Sequence, residues 1–165
     1  MSTFSAENLQ AAYLQWLSEP DVEDAVAGTI TFKRTFNGRP ISEKAAADAV
    51  RVFGRMLQCH AYGNRFKKGK AWLTFIAVNE GGREPGQKHP HVHFFLEVPE
   101  GWSTDGWMEV VRKKIDKIEC FGSENCVVKP VVDGGWLDYM FKRSDKNCYA
   151  DALDIISLWT KSRSN

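Results

Sequence analysis

No apolar run in this 165-residue chain reaches the 18 or more residues that a membrane-spanning helix requires, and no signal peptide opens it. The four cysteines (Cys59, Cys120, Cys126, Cys148) lack any C-x-x-C spacing, which argues against a zinc ribbon or a disulfide framework. Cys59 and His60 are adjacent, but no second pair supports a zinc site between them. Reduced thiols and a cytoplasmic location are the expectation. Internal repeats, low-complexity tracts and long linkers are also missing, so one domain over 1–165 is expected. Its parts would be a helical extension over 1–27, a core over 28–146 and a last helix within 147–165. Charge is absent by sign in two places. Residues 1–29 hold five acids and no Lys or Arg, whereas residues 51–70 hold six bases and no acid.

A nucleotide-binding loop is missing too. Gly63-Asn64-Arg65-Phe66-Lys67-Lys68-Gly69-Lys70-Ala71 has five residues between its glycines rather than four, and Ala71 stands where Ser or Thr is needed. It also precedes a strand pattern rather than a helix. No nucleotide is expected as a cofactor.

A 43% hydrophobic content and six tryptophans describe a globular chain. Helical spacing over 5–17 is followed by alternation from Gly28 to Phe36, which reads as a strand. Ser42 is a plausible N-cap for a helix from Glu43 to about His60. Ala71 to Val78 and His91 to Val98 read as two more strands, joined by a link rich in glycine. Thr104 to Glu119 has an apolar stripe of Trp107, Val110, Val111, Ile115 and Ile118. A fourth strand over Cys126 to Val132 precedes helices over about Gly135 to Arg143 and Tyr149 to Thr160. This order predicts an α+β fold, a central antiparallel sheet of four to five strands flanked by helices, of RNA-recognition-like or ferredoxin-like type.

The most informative stretch is His89-Pro90-His91-Val92-His93-Phe94-Phe95-Leu96-Glu97-Val98. Side chains alternate along a strand, so His91 and His93 share one face while Val92, Phe94, Leu96 and Val98 point into a core. Two imidazoles side by side on an open sheet face can share a metal ion. A hairpin folds the end of the preceding strand back towards His91, and parity puts Trp72, Thr74, Ile76, Val78 and Glu80 on one face of that strand. Glu80 is the preferred third ligand, with His89 and Glu84 as rivals in the link. Two imidazoles and one carboxylate leave open positions, which suits Mn²⁺ or Mg²⁺ acting on a phosphate better than a closed structural zinc site.

Tyr139 and Lys142 lie three apart in the penultimate helix pattern and therefore share a face. Forming a phenolate at neutral pH from a phenol of pKa near 10 costs roughly 4 kcal/mol. A neighbouring ammonium and a polarised phosphate both offset that cost. Arg65, Lys67, Lys68 and Lys70, with Phe66 among them, form a basic and aromatic segment of the kind that grips a nucleic-acid backbone and stacks a base. Further bases occur at Arg112–Lys117 and Lys142–Lys146.

Taken together, these motifs resemble the replication-initiator branch of the HUH endonuclease superfamily over about residues 28–146. Thr29-Ile30-Thr31-Phe32 looks like the first-strand motif, His91-Val92-His93 the metal motif, and Tyr139-Met140-Phe141-Lys142 the nucleophile motif, in the family's order. Glu80-Gly81-Gly82 matches the position of the family's third metal ligand. The single tyrosine is similar to rolling-circle plasmid initiators more than to two-tyrosine phage initiators. The departures are a long link between Glu80 and His91 and the lone tyrosine. The resemblance implies metal-dependent nicking of single-stranded DNA, plausibly at an origin hairpin, through a 5′-phosphotyrosine on Tyr139 with Lys142 supporting the charge. It also implies a host helicase and polymerase as partners. Two competing readings are a non-catalytic RNA-recognition-like binding module and a transposase or relaxase of the same superfamily.

Overall fold

The computed structural model describes residues 24–81 and 89–132 together with Trp136 and Met140. Strand β1 spans Ala25–Thr31 and is followed by a two-stranded ribbon, β2 (Thr35–Phe36) and β3 (Arg39–Pro40). Helix α1 (Glu43–Tyr62) and a single turn α2 (Asn64–Lys67) lead to β4 (Phe75–Glu80) and β5 (His91–Glu97). Helix α3 (Thr104–Ile115) and a 3-10 turn over Ser123–Asn125 then lead to β6 (Val127–Pro130). The main sheet has four antiparallel strands in the order β4-β5-β1-β6. Two interleaved strand–helix–strand units with this order make a ferredoxin-like α+β fold. Among the described residues no helix is long and apolar enough to cross a membrane.

Both long helices start on a serine. The Ser42 hydroxyl accepts the Ala45 N–H at 3.0 Å and Ser103 accepts that of Gly106 at 3.2 Å, which satisfies amides the helix cannot. Along α1 the buried positions are Ala49, Val50, Phe53, Gly54, Leu57 and Gln58, the period of a helix lying on a sheet. Phe53 meets Phe75, Phe94 and Phe121 edge to face, with centroids 5.6–6.0 Å apart. Trp107, Val111 and Ile115 of α3 fill the rest of that layer. The core therefore lies between α1 and α3 and the sheet face carrying Phe75, Val92, Phe94 and Leu96.

One polar clamp ties α1 to the approach of β4. Gln58, fully buried, donates to the Leu73 carbonyl at 2.8 Å and accepts the Leu73 N–H at 2.7 Å. Phe94 needs Gly28 across from it, because a Cβ at Gly28 would stand 2.6 Å from the Phe94 ring and 2.2 Å from the Val127 carbonyl oxygen.

Several boundaries differ from those expected. The first strand runs over Ala25–Thr31 rather than Gly28–Phe36, taking in three residues expected in the helical extension. Its partner β5 begins at His91, opposite Thr31, and past that point the pairing shrinks to one bond from the Phe32 N–H to the Pro90 carbonyl and a bridge to Phe121. The chain turns there, and Asn37 and Gly38, both at positive φ (52° and 74°), close the β2–β3 ribbon. The second strand is shifted to Phe75–Glu80, which leaves Trp72 and Thr74 ahead of it. The fourth is Val127–Pro130, shorter at both ends, and α3 stops at Ile115. The helices expected over 5–17 and Tyr149–Thr160 lie outside the described residues. Of the one over Gly135–Arg143, Trp136 and Met140 are described, and both are helical.

Candidate metal centre

Glu80 pairs directly with His91 across β4 and β5, and Val78 with His93. Residues directly opposite in an antiparallel pair share a face, so Glu80 and the two histidines converge at the end of the hairpin. Their ligand atoms lie within 4.8 Å of one another, and the three could hold one metal ion. Glu80 Oε2 is 3.4 Å from Nε2 of His91 and 3.4 Å from Nε2 of His93. Donors bound to one ion at about 2.1 Å stand roughly 3.0–3.4 Å apart for bond angles between 90° and tetrahedral. The two Glu80–histidine distances fall at the upper end of that range.

The far nitrogen of each ring is already engaged. His91 Nδ1 lies 2.8 Å from the His89 carbonyl oxygen, which can only accept, so Nδ1 carries the proton and Nε2 presents its lone pair. His93 Nδ1 lies 2.8 Å from Oγ1 of Thr29, its direct neighbour on β1. The carbonyl partner fixes the tautomer of His91, and the hydroxyl partner, able to donate or accept, holds the orientation of the His93 ring. The rings sit nearly perpendicular, at 84° with centroids 4.8 Å apart. A carboxylate buried between two imidazoles gains from a compensating positive charge, and a metal ion shared among all three would supply it.

The open sheet face expected for the histidines is not what forms. His93 is 3% exposed and Glu80 9%, and their neighbours Ile76, Val78, Phe95 and Ala27 are buried as well. Trp136 packs on this face: its ring meets His93 edge to face at 6.0 Å, and its indole N–H donates to the Phe94 carbonyl at 3.2 Å. Lys129 of β6 lies over the other side of the indole, 4.6 Å from its centroid. Met140, one helical turn later in sequence, is fully buried. The metal-ligand face is thus covered along its middle, and His91, with 15% of its side chain exposed, is the ligand nearest to solvent.

Of the expected ligands, Glu80, His91 and His93 come together. His89 does not join them, because its Nε2 donates to the Phe32 carbonyl at 2.6 Å and so ties the link to the end of β1. Its backbone carbonyl orients His91 instead. Glu84, Tyr139 and Lys142 lie outside the described residues. The Cys59–His60 pair forms no cluster of metal ligands among the described residues. His60 instead packs against Trp102 and Trp107 at 5.6 and 6.1 Å, and burial, helped by Lys114 and Lys117, lowers its pKa.

Arg65, Lys67, Lys68 and Lys70 are exposed, with the Arg65 guanidinium 5.8 Å from the Tyr62 ring centroid. They precede β4, whereas Glu80 ends it. The five residue steps from Phe75 to Glu80 span roughly 16 Å, so this segment sits at the opposite end of the sheet from the metal ligands. Thr29 entered the sequence reading only as part of the expected first-strand motif, and its hydrogen bond to His93 was not foreseen. Its signal was its place in an alternating strand, two residues from Thr31 and on the same face.

The fold and site together define a ferredoxin-like domain with a candidate His₂Glu metal centre at one end of its sheet. Compared with protein-family models, curated proteins and solved structures, the chain matches none.

Proposed function

We propose that this protein is a metal-dependent enzyme that nicks and rejoins single-stranded DNA, an HUH-type replication initiator acting through a phosphotyrosine. The observation that carries the reading is the Glu80–His91–His93 cluster on a ferredoxin-like sheet with β1 alongside it. The expected first-strand motif Thr29–Phe32 lies beside the expected metal motif, with Thr29 bonded to His93. Trp136, packed on His93, precedes Tyr139 in sequence by three residues.

Glu80, His91 and His93 would hold a divalent ion such as Mn²⁺ or Mg²⁺, which would supply Lewis-acid polarisation of a phosphate oxygen. The Tyr139 oxygen attacks the scissile phosphorus, the bond from phosphorus to the 3′-oxygen breaks, and a 5′-phosphotyrosine and a free 3′-hydroxyl result. Lys142 stabilises the phenolate and the charge of the transition state. Attack by the 3′-hydroxyl on the phosphotyrosine reverses the step without ATP, because the phosphodiester energy is kept in the covalent bond. A host helicase and polymerase would use the new 3′ end.

The test is a single-stranded oligonucleotide carrying an origin hairpin, incubated with protein and Mn²⁺ and resolved on a denaturing gel. Wild type should give a nicked product and a protein–DNA adduct, both lost in excess chelator and in His91→Ala. Tyr139→Phe should bind the oligonucleotide and give neither. An adduct that persists in Tyr139→Phe, or full cleavage in chelator, overturns the reading. Binding by wild type with no cleavage of any single-stranded substrate would favour a non-catalytic binding module.

A further inference from the structure

Among the described residues, the bases that leave the sheet at the end holding the candidate metal centre are not those that the sequence makes conspicuous. Thr31, the last residue of β1, pairs with His91, and the next residue, Phe32, donates its N–H to the Pro90 carbonyl while its own carbonyl accepts from the His89 ring. Lys33 and Arg34 follow at once, and Arg39 lies across the ribbon from Phe36. All three are exposed, and none is held in an ion pair among the described residues. No acid occurs from Ala25 to Ser42.

We propose that Lys33, Arg34 and Arg39 form the phosphate-gripping surface for a single DNA strand entering the metal centre. The proposal rests on reading that centre as a phosphodiester site. Two or three residues of extended chain span about 7–11 Å, so Lys33 and Arg34 lie within side-chain reach of phosphates flanking one held at His91. The surface is rigid for a short ribbon. Asn37 and Gly38 set its turn, Phe36 packs against the core, and the Lys33 N–H is bonded to the Cys120 carbonyl at 2.9 Å. A preformed basic edge loses less freedom on binding than charges on a mobile tail would. Arg65–Lys70, at the far end of the sheet, cannot contact the nucleotides next to the reacting phosphate.

The experiment is the anisotropy of a labelled oligothymidylate, titrated with protein in chelator over a range of NaCl concentrations. Counterion release on single strands changes the slope of log K against log salt by about 0.7 per phosphate contact, so Lys33→Ala/Arg34→Ala/Arg39→Ala should flatten it by about 2. The Arg65→Ala/Lys67→Ala/Lys68→Ala/Lys70→Ala variant should flatten it less. Mn²⁺ affinity of the ribbon variant should equal that of wild type, since none of the three is a metal ligand; this also reports that the variant is folded. An unchanged slope in the folded ribbon variant, or a larger loss in the Arg65–Lys70 variant, overturns the proposal. The two ideas separate cleanly. If the ribbon variant shows the predicted flattening and wild type never cleaves, the gripping surface stands and the nicking reading fails. Absence of any binding by wild type overturns both.

Discussion

Thr29→Val tests the metal centre at the hydrogen bond that sequence reading did not foresee. Valine matches threonine in shape and suits a strand, and Thr29 is only half-buried, so β1 should keep its place between β5 and β6. What disappears is the 2.8 Å hydrogen bond to His93 Nδ1. The imidazole is 3% exposed, so water cannot readily replace the hydroxyl, and the ring is released to turn or to adopt the other tautomer. Removing an outer partner of a metal-binding histidine typically weakens metal binding about 10- to 100-fold, or about 1.4–2.8 kcal/mol. Calorimetric titration with Mn²⁺ should show a loss in that range with unchanged stoichiometry. In a His93→Ala background the same substitution should have almost no further effect, because the bond it removes is already gone. An affinity within twofold of wild type for Thr29→Val would refute the assignment of Thr29 as the residue that orients His93. A full 10-fold effect persisting in His93→Ala would show that Thr29 acts by another route.

Two further substitutions probe how the sheet is held. Gln58→Leu should lower stability by about 2–4 kcal/mol in urea titration, since it leaves both the N–H and the carbonyl of Leu73 without their buried partner; a loss under 0.5 kcal/mol would mean that the clamp does not position the approach to β4. Gly28→Ala should destabilise by roughly 1–3 kcal/mol or more, as its methyl would meet the Phe94 ring and the Val127 carbonyl. Gly28→Ala/Phe94→Leu should recover part of that loss of stability, and no recovery would place the strain at the Val127 carbonyl alone.

Much of the site was legible because strand geometry is local. The two-residue period put His91 and His93 on one face, and folding back a hairpin put Glu80 opposite them, with no knowledge of the rest of the chain needed. Helices α1 and α3 were legible for the same reason, the Ser42 cap of the first and the apolar stripe of the second each being written within one segment. The turn at Asn37-Gly38 was not read. Alternation continuing to Phe36 masked the break before the ribbon, since nothing local says that the partner strand ends opposite Thr31.

By itself the sequence determined the fold class, the parity of the metal ligands and their grouping, all of which follow from periodicity and from hairpin closure. Only the tertiary structure decided what surrounds them. The hydroxyl of Thr29 reaches His93 because β1 inserts beside β5, 64 residues away in the chain. Trp136 seals the ligand face by returning from beyond β6 to pack on His93, so a face expected open to solvent is buried. Such placements depend on contacts between distant segments, and a pattern confined to one strand or helix carries no information about them.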